Sequence, residues 1–184
     1  LQFDGNLITS RRVGNHLILL STYWPSTINL PTATTDAQRQ ANLDALSMTP
    51  VGQLLPTFEF NNVREPLVDA STCFIPEDAT ELTGYSGVVT LTTIDLTNLS
   101  DIQSICVNGM FDGIYASQND VVIFGQNYVE NTLGEYSEQT VLHHFAFSSD
   151  AITYNGSANL PGRLDWNQPH LRLSLFAETL RVVT

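Results

Sequence analysis

The chain has no lysine, only two cysteines, and no apolar run approaching the length of a membrane helix. Each shortage excludes something. All seven basic side chains are arginines, set against nineteen acidic ones, for a formal net charge of −12 over 184 residues. Such a surface repels phosphate backbones, which proteins bind chiefly by neutralising them with Lys and Arg, so no nucleic-acid partner is expected. The longest apolar stretches, such as Leu17 to Leu20, fall far short of the roughly 20 residues that span a bilayer, so no membrane span is expected either. Phosphate loops of the form G-x-x-x-x-G-K, G-x-G-x-x-G turns, H-E-x-x-H helices and G-x-S-x-G elbows are all missing. No cofactor is expected, and the prior for an enzyme falls.

Cys73 and Cys106 carry no C-x-x-C or metal-ligand spacing. A structural bridge is the preferred reading, closing a loop of roughly 33 residues worth ~3–4 kcal/mol in the chain-entropy model. Two unlinked buried thiols are the alternative. The chain opens at Leu1 without a basic or strongly apolar leader, so any signal peptide is expected to lie outside it.

What is present is ordinary greasiness, 42% hydrophobic residues, in a length that can bury roughly 70% of the unfolded surface. A single domain follows. Short runs rich in Val, Ile, Leu, Thr, Tyr and Phe, bounded by Gly, Asn, Asp and Ser, predict an all-β chain. Leu7 to Val13 and His16 to Thr22 flank Gly14-Asn15, and Ile114 to Ser117 and Val121 to Gly125 flank Gln118-Asn119-Asp120, so both pairs read as hairpins. One helix is predicted over Asp36 to Met48, where Ala37, Ala41, Ala45 and Leu46 recur near helical spacing and Thr35 with Gln38 fits a capping box. Pro50 stops it. With Pro56, Pro66 and Pro76 following, residues 24–86 read as a long insertion within the first unit.

Internal repetition is the most informative feature. Phe3-Asp4-Gly5 precedes the first hairpin and Phe111-Asp112-Gly113 the second, while Leu171 to Phe176 and Leu180 to Thr184 form a third copy around Glu178-Thr179. Val88 to Leu96 and Ile102 to Val107 follow the first hairpin as Thr140 to Phe147 and Ala151 to Tyr154 follow the second. Matching Ile94 with Phe145 gives a unit of roughly 50 to 60 residues, in the range of propeller blades. An antiparallel four-stranded blade has two apolar faces and needs a neighbour on each, so the expectation is a partial β-propeller and a fragment of a longer toroid. The competing architecture is a compact sandwich or barrel.

Several stretches resemble the bacterial secreted β-propeller domain family, distantly related to WD40 repeats. They are GNLITSRRVGNHLILL over Gly5 to Leu20, LTTIDL over Leu91 to Leu96, GIYAS over Gly113 to Ser117, ITYNGSANLPG over Ile152 to Gly162 and LRVVT over Leu180 to Thr184. Ser10-Arg11, Tyr115 to Ser117 and Pro161-Gly162 fall in the family's order, whereas Asp165-Trp166-Asn167-Gln168-Pro169 departs from its Asn-Gln-Phe after Pro-Gly. The resemblance implies an extracytoplasmic protein, secreted, periplasmic or on the cell surface. It also implies a seven- or eight-bladed toroid of which this is the first part, with no established enzymatic activity.

The candidate site residues have bland explanations. His143 and His144 are adjacent, and in a strand their side chains point to opposite faces, so they do not chelate one ion without a bulge. One ring is expected between blades and the other in solvent; His16 and His170 are isolated. Glu77, Asp78 and Glu81, or Asp95, Asn98 and Asp101, supply oxygens for Ca²⁺ but lack EF-hand spacing. No metal site is assigned. Asp4 and Asp112 read as turn formers capping backbone N–H groups. Asn98-Leu99-Ser100 and Asn155-Gly156-Ser157 match the glycosylation pattern only. Phe58, Phe60, Tyr115, Phe124, Tyr128, Phe145 and Phe147 are expected in the core, while Trp24 and Trp166 sit beside turns where an exposed ring could meet a ligand. The expected function is a non-enzymatic extracytoplasmic scaffold for a protein or glycan, with self-association through exposed blade faces as a further possibility. The alternative is a hydrolase or lyase acting at the mouth of the complete ring.

Overall fold

β-branched and aromatic runs become strands in the computed structural model, which describes residues 1–25, 30–75, 87–130, 134–148, 151–164 and 168–184. In chain order these are β1 (Gln2–Phe3), β2 (Asn6–Val13), β3 (His16–Tyr23), β4 (Thr57–Phe60), β5 (Val63–Pro66), β6 (Cys73–Phe74), β7 (Val88–Asp95) and β8 (Asn98–Asn108). β9 (Gly113–Ala116), β10 (Asp120–Glu130), β11 (Tyr136–Phe147), β12 (Ile152–Pro161), β13 (Leu173–Phe176) and β14 (Thr179–Val182) follow. The helix α1 spans Asp36–Ser47, and both halves of the Thr35–Gln38 capping box are formed. It buries no residue, so its local capping rather than a core contact defines it.

Two antiparallel meanders carry the architecture. The first blade runs β2-β3-β7-β8 with β6 added in parallel beyond β8, and the second runs β9-β10-β11-β12. β13 and β14 form a third hairpin. The hairpins are in step: Val13 pairs with His16, Ser117 N–H donates to Asp120 O, and Phe176 pairs with Thr179, each across two residues. From the turns outward, Leu17 faces Ile94 as Val121 faces Phe145. Ile94 and Phe145 therefore occupy the same place in successive blades. The Phe-Asp-Gly triplets do not: Gly113 stands four residues before Ser117, whereas Gly5 stands eight before Val13. The repeat resides in the ladders, not in that signature.

Ile18, Leu20, Leu91, Ile105 and Val107 of the first blade form one cluster with Ile123, Phe145 and Phe147 of the second. The opposite face of the second blade presents Val122, Phe124 and Leu142 to Leu164 and Leu173, with Leu180 and Val182 beside them. Alternation along each strand puts neighbouring residues in different layers, and the middle sheet is covered on both faces. This serial arrangement is a partial propeller rather than a closed barrel or a sandwich of two sheets. The segment Met110–Phe111 crosses so close to Gly125 that a Cβ there would stand 2.1 Å from Met110 O, so only glycine fits.

The other face of the first blade is polar near its centre, and its hydroxyls are satisfied pairwise. Ser21 Oγ meets Thr90 Oγ1 at 2.7 Å, and Thr92 Oγ1 meets Ser104 Oγ at 2.8 Å. Residues between β3 and β7 cover its outer edge, where Leu67, Val68, Leu55 and Phe58 pack with Phe3, Ile102 and Cys106. A disulfide joins Cys73 to Cys106, which are register partners with Cα atoms 4.3 Å apart. Asp4 holds the β1-β4-β5 sheet: its carboxylate accepts from Thr57 N–H at 3.0 Å, from Thr57 Oγ1 at 2.6 Å and from Arg64 at 2.7 Å. Burial pushes the Asp4 carboxyl up, but these hydrogen bonds outweigh it and hold it below its ordinary value. Asp4 thus caps a backbone N–H fifty-three residues away rather than its own turn. Asp112 caps nothing among the described residues; partial burial raises its carboxyl above the usual range, against the pull of Arg163.

Candidate functional site

The three hairpin turns gather at one end of the array. His16, after the first turn, sets its ring edge-on to Phe147 with centroids 5.1 Å apart, and Phe147 N–H donates to Asn119 O in the second turn at 2.7 Å. The second and third turns share a cleft of about 480 Å³ lined by Ser117, Asp120, His144, Asn155, Leu175, Phe176, Ala177 and Glu178. Each wall has a local cause. Ser117 and Asp120 close the second turn, with Ser117 Oγ donating to Asp120 Oδ2 and accepting from Asp120 N–H, both at 3.1 Å. Asn155 is the extra residue of a bulge, because the β11–β12 register jumps from His144–Gly156 to Phe145–Tyr154. Ala177 and Glu178 make a tight turn at φ 47° and 61°, a left-handed pair that suits the hairpin twist but costs non-glycine residues roughly 1–2 kcal/mol each.

His144 Nε2 lies 2.8 Å from Asp120 Oδ1. Because a carboxylate only accepts, the proton of that bond sits on Nε2, which leaves Nδ1 as the ring's uncommitted atom. Asp120 is the centre of the trio, with the serine hydroxyl and the imidazole both on it. In a nucleophilic triad the histidine stands between serine and carboxylate, so His144 does not activate Ser117 here. Among the described residues the uncommitted groups of the cleft are the Asn155 amide, the second His144 nitrogen and the Glu178 carboxylate.

His143 faces the other way, between the first two blades. Its Nδ1 lies 3.1 Å from Tyr154 Oη, and its ring stands edge-on to Phe111 with centroids 5.3 Å apart. Burial holds its pKa below the ordinary histidine value. The bulge at His144 does not turn the two rings toward one ion. Among the described residues no group of three His, Cys, Asp or Glu side chains could hold a metal. Asp95 instead accepts from Thr97 N–H and Oγ1, each at 2.7 Å, which holds its carboxyl below its usual value, and Asn98 accepts from Ser100. Glu77, Asp78, Glu81, Trp166 and the His170 side chain lie outside the described residues.

Phe145, Phe147, Phe124, Tyr115 and Phe58 join the packed clusters as expected. Tyr128 does not: it is 57% exposed, because β10 runs on past the part of the sheet its neighbours cover. Trp24 is 55% exposed and lies against Gly87, far from the cleft in the chain and outside its lining. Of the residues that line the cleft, Asp120 and Glu178 read in sequence as turn residues, Asn155 as part of a sequon, His144 as one of a histidine pair, and Leu175 and Phe176 as strand; the alignment of the three turns is the signal that could have brought them together.

The family model described as a beta propeller domain matches residues 1–184. No curated protein and no solved structure matches the chain. Among the described residues no helix is long and apolar enough to cross a membrane.

Proposed function

Because the chain belongs to the β-propeller domain family, we propose that it is a non-enzymatic interaction scaffold, part of a larger ring of the bacterial secreted type, with residues 24–86 as an insertion in its first blade. The observation that carries this reading is the gathering of three turns at one end of blades whose faces are buried against each other. Rigid sheets hold loops in fixed relative positions, which is what recognition of a partner requires. An extracytoplasmic location accords with the Cys73–Cys106 bridge, since such links persist in oxidising compartments. Against the hydrolase or lyase alternative, the Asp-centred trio argues only in one respect: it leaves Ser117 without a histidine base and so disfavours a serine nucleophile.

A photo-crosslinker placed at Gln118, in the second turn, tests the scaffold in source cells against the same group at Asn62, between β4 and β5. A discrete macromolecular adduct from Gln118 alone is expected. Equal or absent adducts, or hydrolysis of chromogenic ester and glycoside substrates, would overturn the reading. Thiol trapping in intact cells tests the compartment: a predominantly bridged pair is expected, and a free pair would contradict it.

A further inference from the structure

We propose that the cleft between the second blade and the third hairpin binds a neutral saccharide, an assignment that deepens the scaffold reading and rests on it. The chemistry of the wall selects the ligand class. An anion needs donors alone, and Glu178 and Asp120 with a net charge of −12 oppose it. A cation needs acceptors alone, yet Asp120 is already engaged by His144 and Ser117, and the uncommitted amide of Asn155 brings two donors. A polyol wants both kinds at once. The groups free to bond a ligand are a mixed set of an amide, an imidazole nitrogen and a carboxylate, beside Leu175 and the 68% exposed ring of Phe176, one face of which carries the Arg181 guanidinium 5.7 Å from its centroid. Hydroxyls would be served by the former and the C–H faces of a sugar by the latter. The roughly 480 Å³ space suits one to two hexose rings.

Local turn and bulge geometry sets the backbone of each wall, and the stacking of blades brings the side chains together. The bulge at Asn155 and the left-handed Ala177-Glu178 turn bring both residues to the lining of the cleft that His144 and Asp120 also line. The Asn155 and Glu178 side chains make no hydrogen bond within the described residues, so substitutions that leave the bulge and turn backbone in place, checked by an unchanged Tm, report on a ligand.

Saturation-transfer NMR on the intact chain, with neutral hexose, N-acetylhexosamine and pentose trisaccharides, spermidine and inorganic phosphate as probes, tests the proposal. Transfer to at least one trisaccharide is expected, with little change in 0.5 M NaCl. Asn155→Ala should weaken it by about tenfold, the value of one to two lost hydrogen bonds. Glu178→Gln, which keeps shape and polarity, should change it by less than about threefold. Transfer to spermidine or phosphate but no trisaccharide would overturn the proposal, as would trisaccharide binding indifferent to Asn155→Ala or silence from every trisaccharide. If trisaccharides fail while Gln118 still yields its adduct, only the cleft assignment falls. If a trisaccharide binds and is cleaved, the cleft assignment stands and the non-enzymatic reading falls.

Discussion

Removing the Cys73–Cys106 link by a Cys73→Ala/Cys106→Ala double substitution perturbs the junction between the first blade and the segment that precedes β7. The bridge spans 33 residues, and the chain-entropy relation gives such a loop about 3–4 kcal/mol of stabilisation at 25 °C. Alanine avoids adding a buried hydroxyl at Cys106, which is 1% exposed. β6 is only two residues long and pairs with β8 through two positions, so little else retains it. Its release would also uncover the layer of Leu67 and Val68. Urea unfolding of the two proteins, followed by far-UV circular dichroism, should show a loss of about 3–4 kcal/mol, and a fall in Tm of roughly 2–4 °C per kcal/mol for a domain of this size. Amide exchange of Ile105 to Val107 should accelerate in parallel. A loss below about 1 kcal/mol with unchanged exchange would refute the claim that the bridge fastens this edge.

Phe145→Ala empties a fully buried site between the first two blades and should cost about 3–5 kcal/mol, whereas Tyr128→Ala in the adjacent strand should cost less than about 0.5 kcal/mol; equal effects in thermal or urea unfolding would contradict the assignment of the inter-blade face. His143 has a depressed folded-state pKa, so below the ordinary value near 6.5 the unfolded chain takes up its proton more readily. Stability is therefore full above about pH 6.5, falls as pH drops through that value, and stops falling below the folded pKa. His143→Gln should flatten this limb of the urea midpoint against pH, and an unchanged slope would count against it. With no lysine and twelve excess negative charges, the chain should melt higher in ~0.5 M NaCl than in dilute buffer; an equal or lower Tm would show that self-repulsion is not a significant term.

The inner strands are legible because burial on both faces writes them as apolar and β-branched runs: the runs match β3, β7 and β10 within a residue or two at their turn-proximal ends. α1 was legible from its capping box, which is a local signal. The outer ends were not. β8 begins at Asn98 rather than Ile102, and β12 extends through the polar segment to Pro161, because strands at the rim leave side chains in water and carry no hydrophobic period. Long-range polar contacts were equally hidden. Asp4 reads as a turn residue, yet it binds Thr57 and Arg64, which no spacing rule connects to it. The cleft is made of residues that each have a sufficient local explanation in a turn or a bulge, and only the stacking of one blade on the next brings Asp120, Asn155 and Glu178 together.

That stacking is the central claim, and ring-to-ring NOEs in selectively labelled protein test it most directly. Phe74 and Tyr154, from the outer edges of the first and second blades, have centroids 4.5 Å apart, and His16 and Phe147 close the turn end at 5.1 Å. Cross-peaks between both pairs are the predicted result. A dispersed, folded spectrum lacking them would contradict the serial packing of blades.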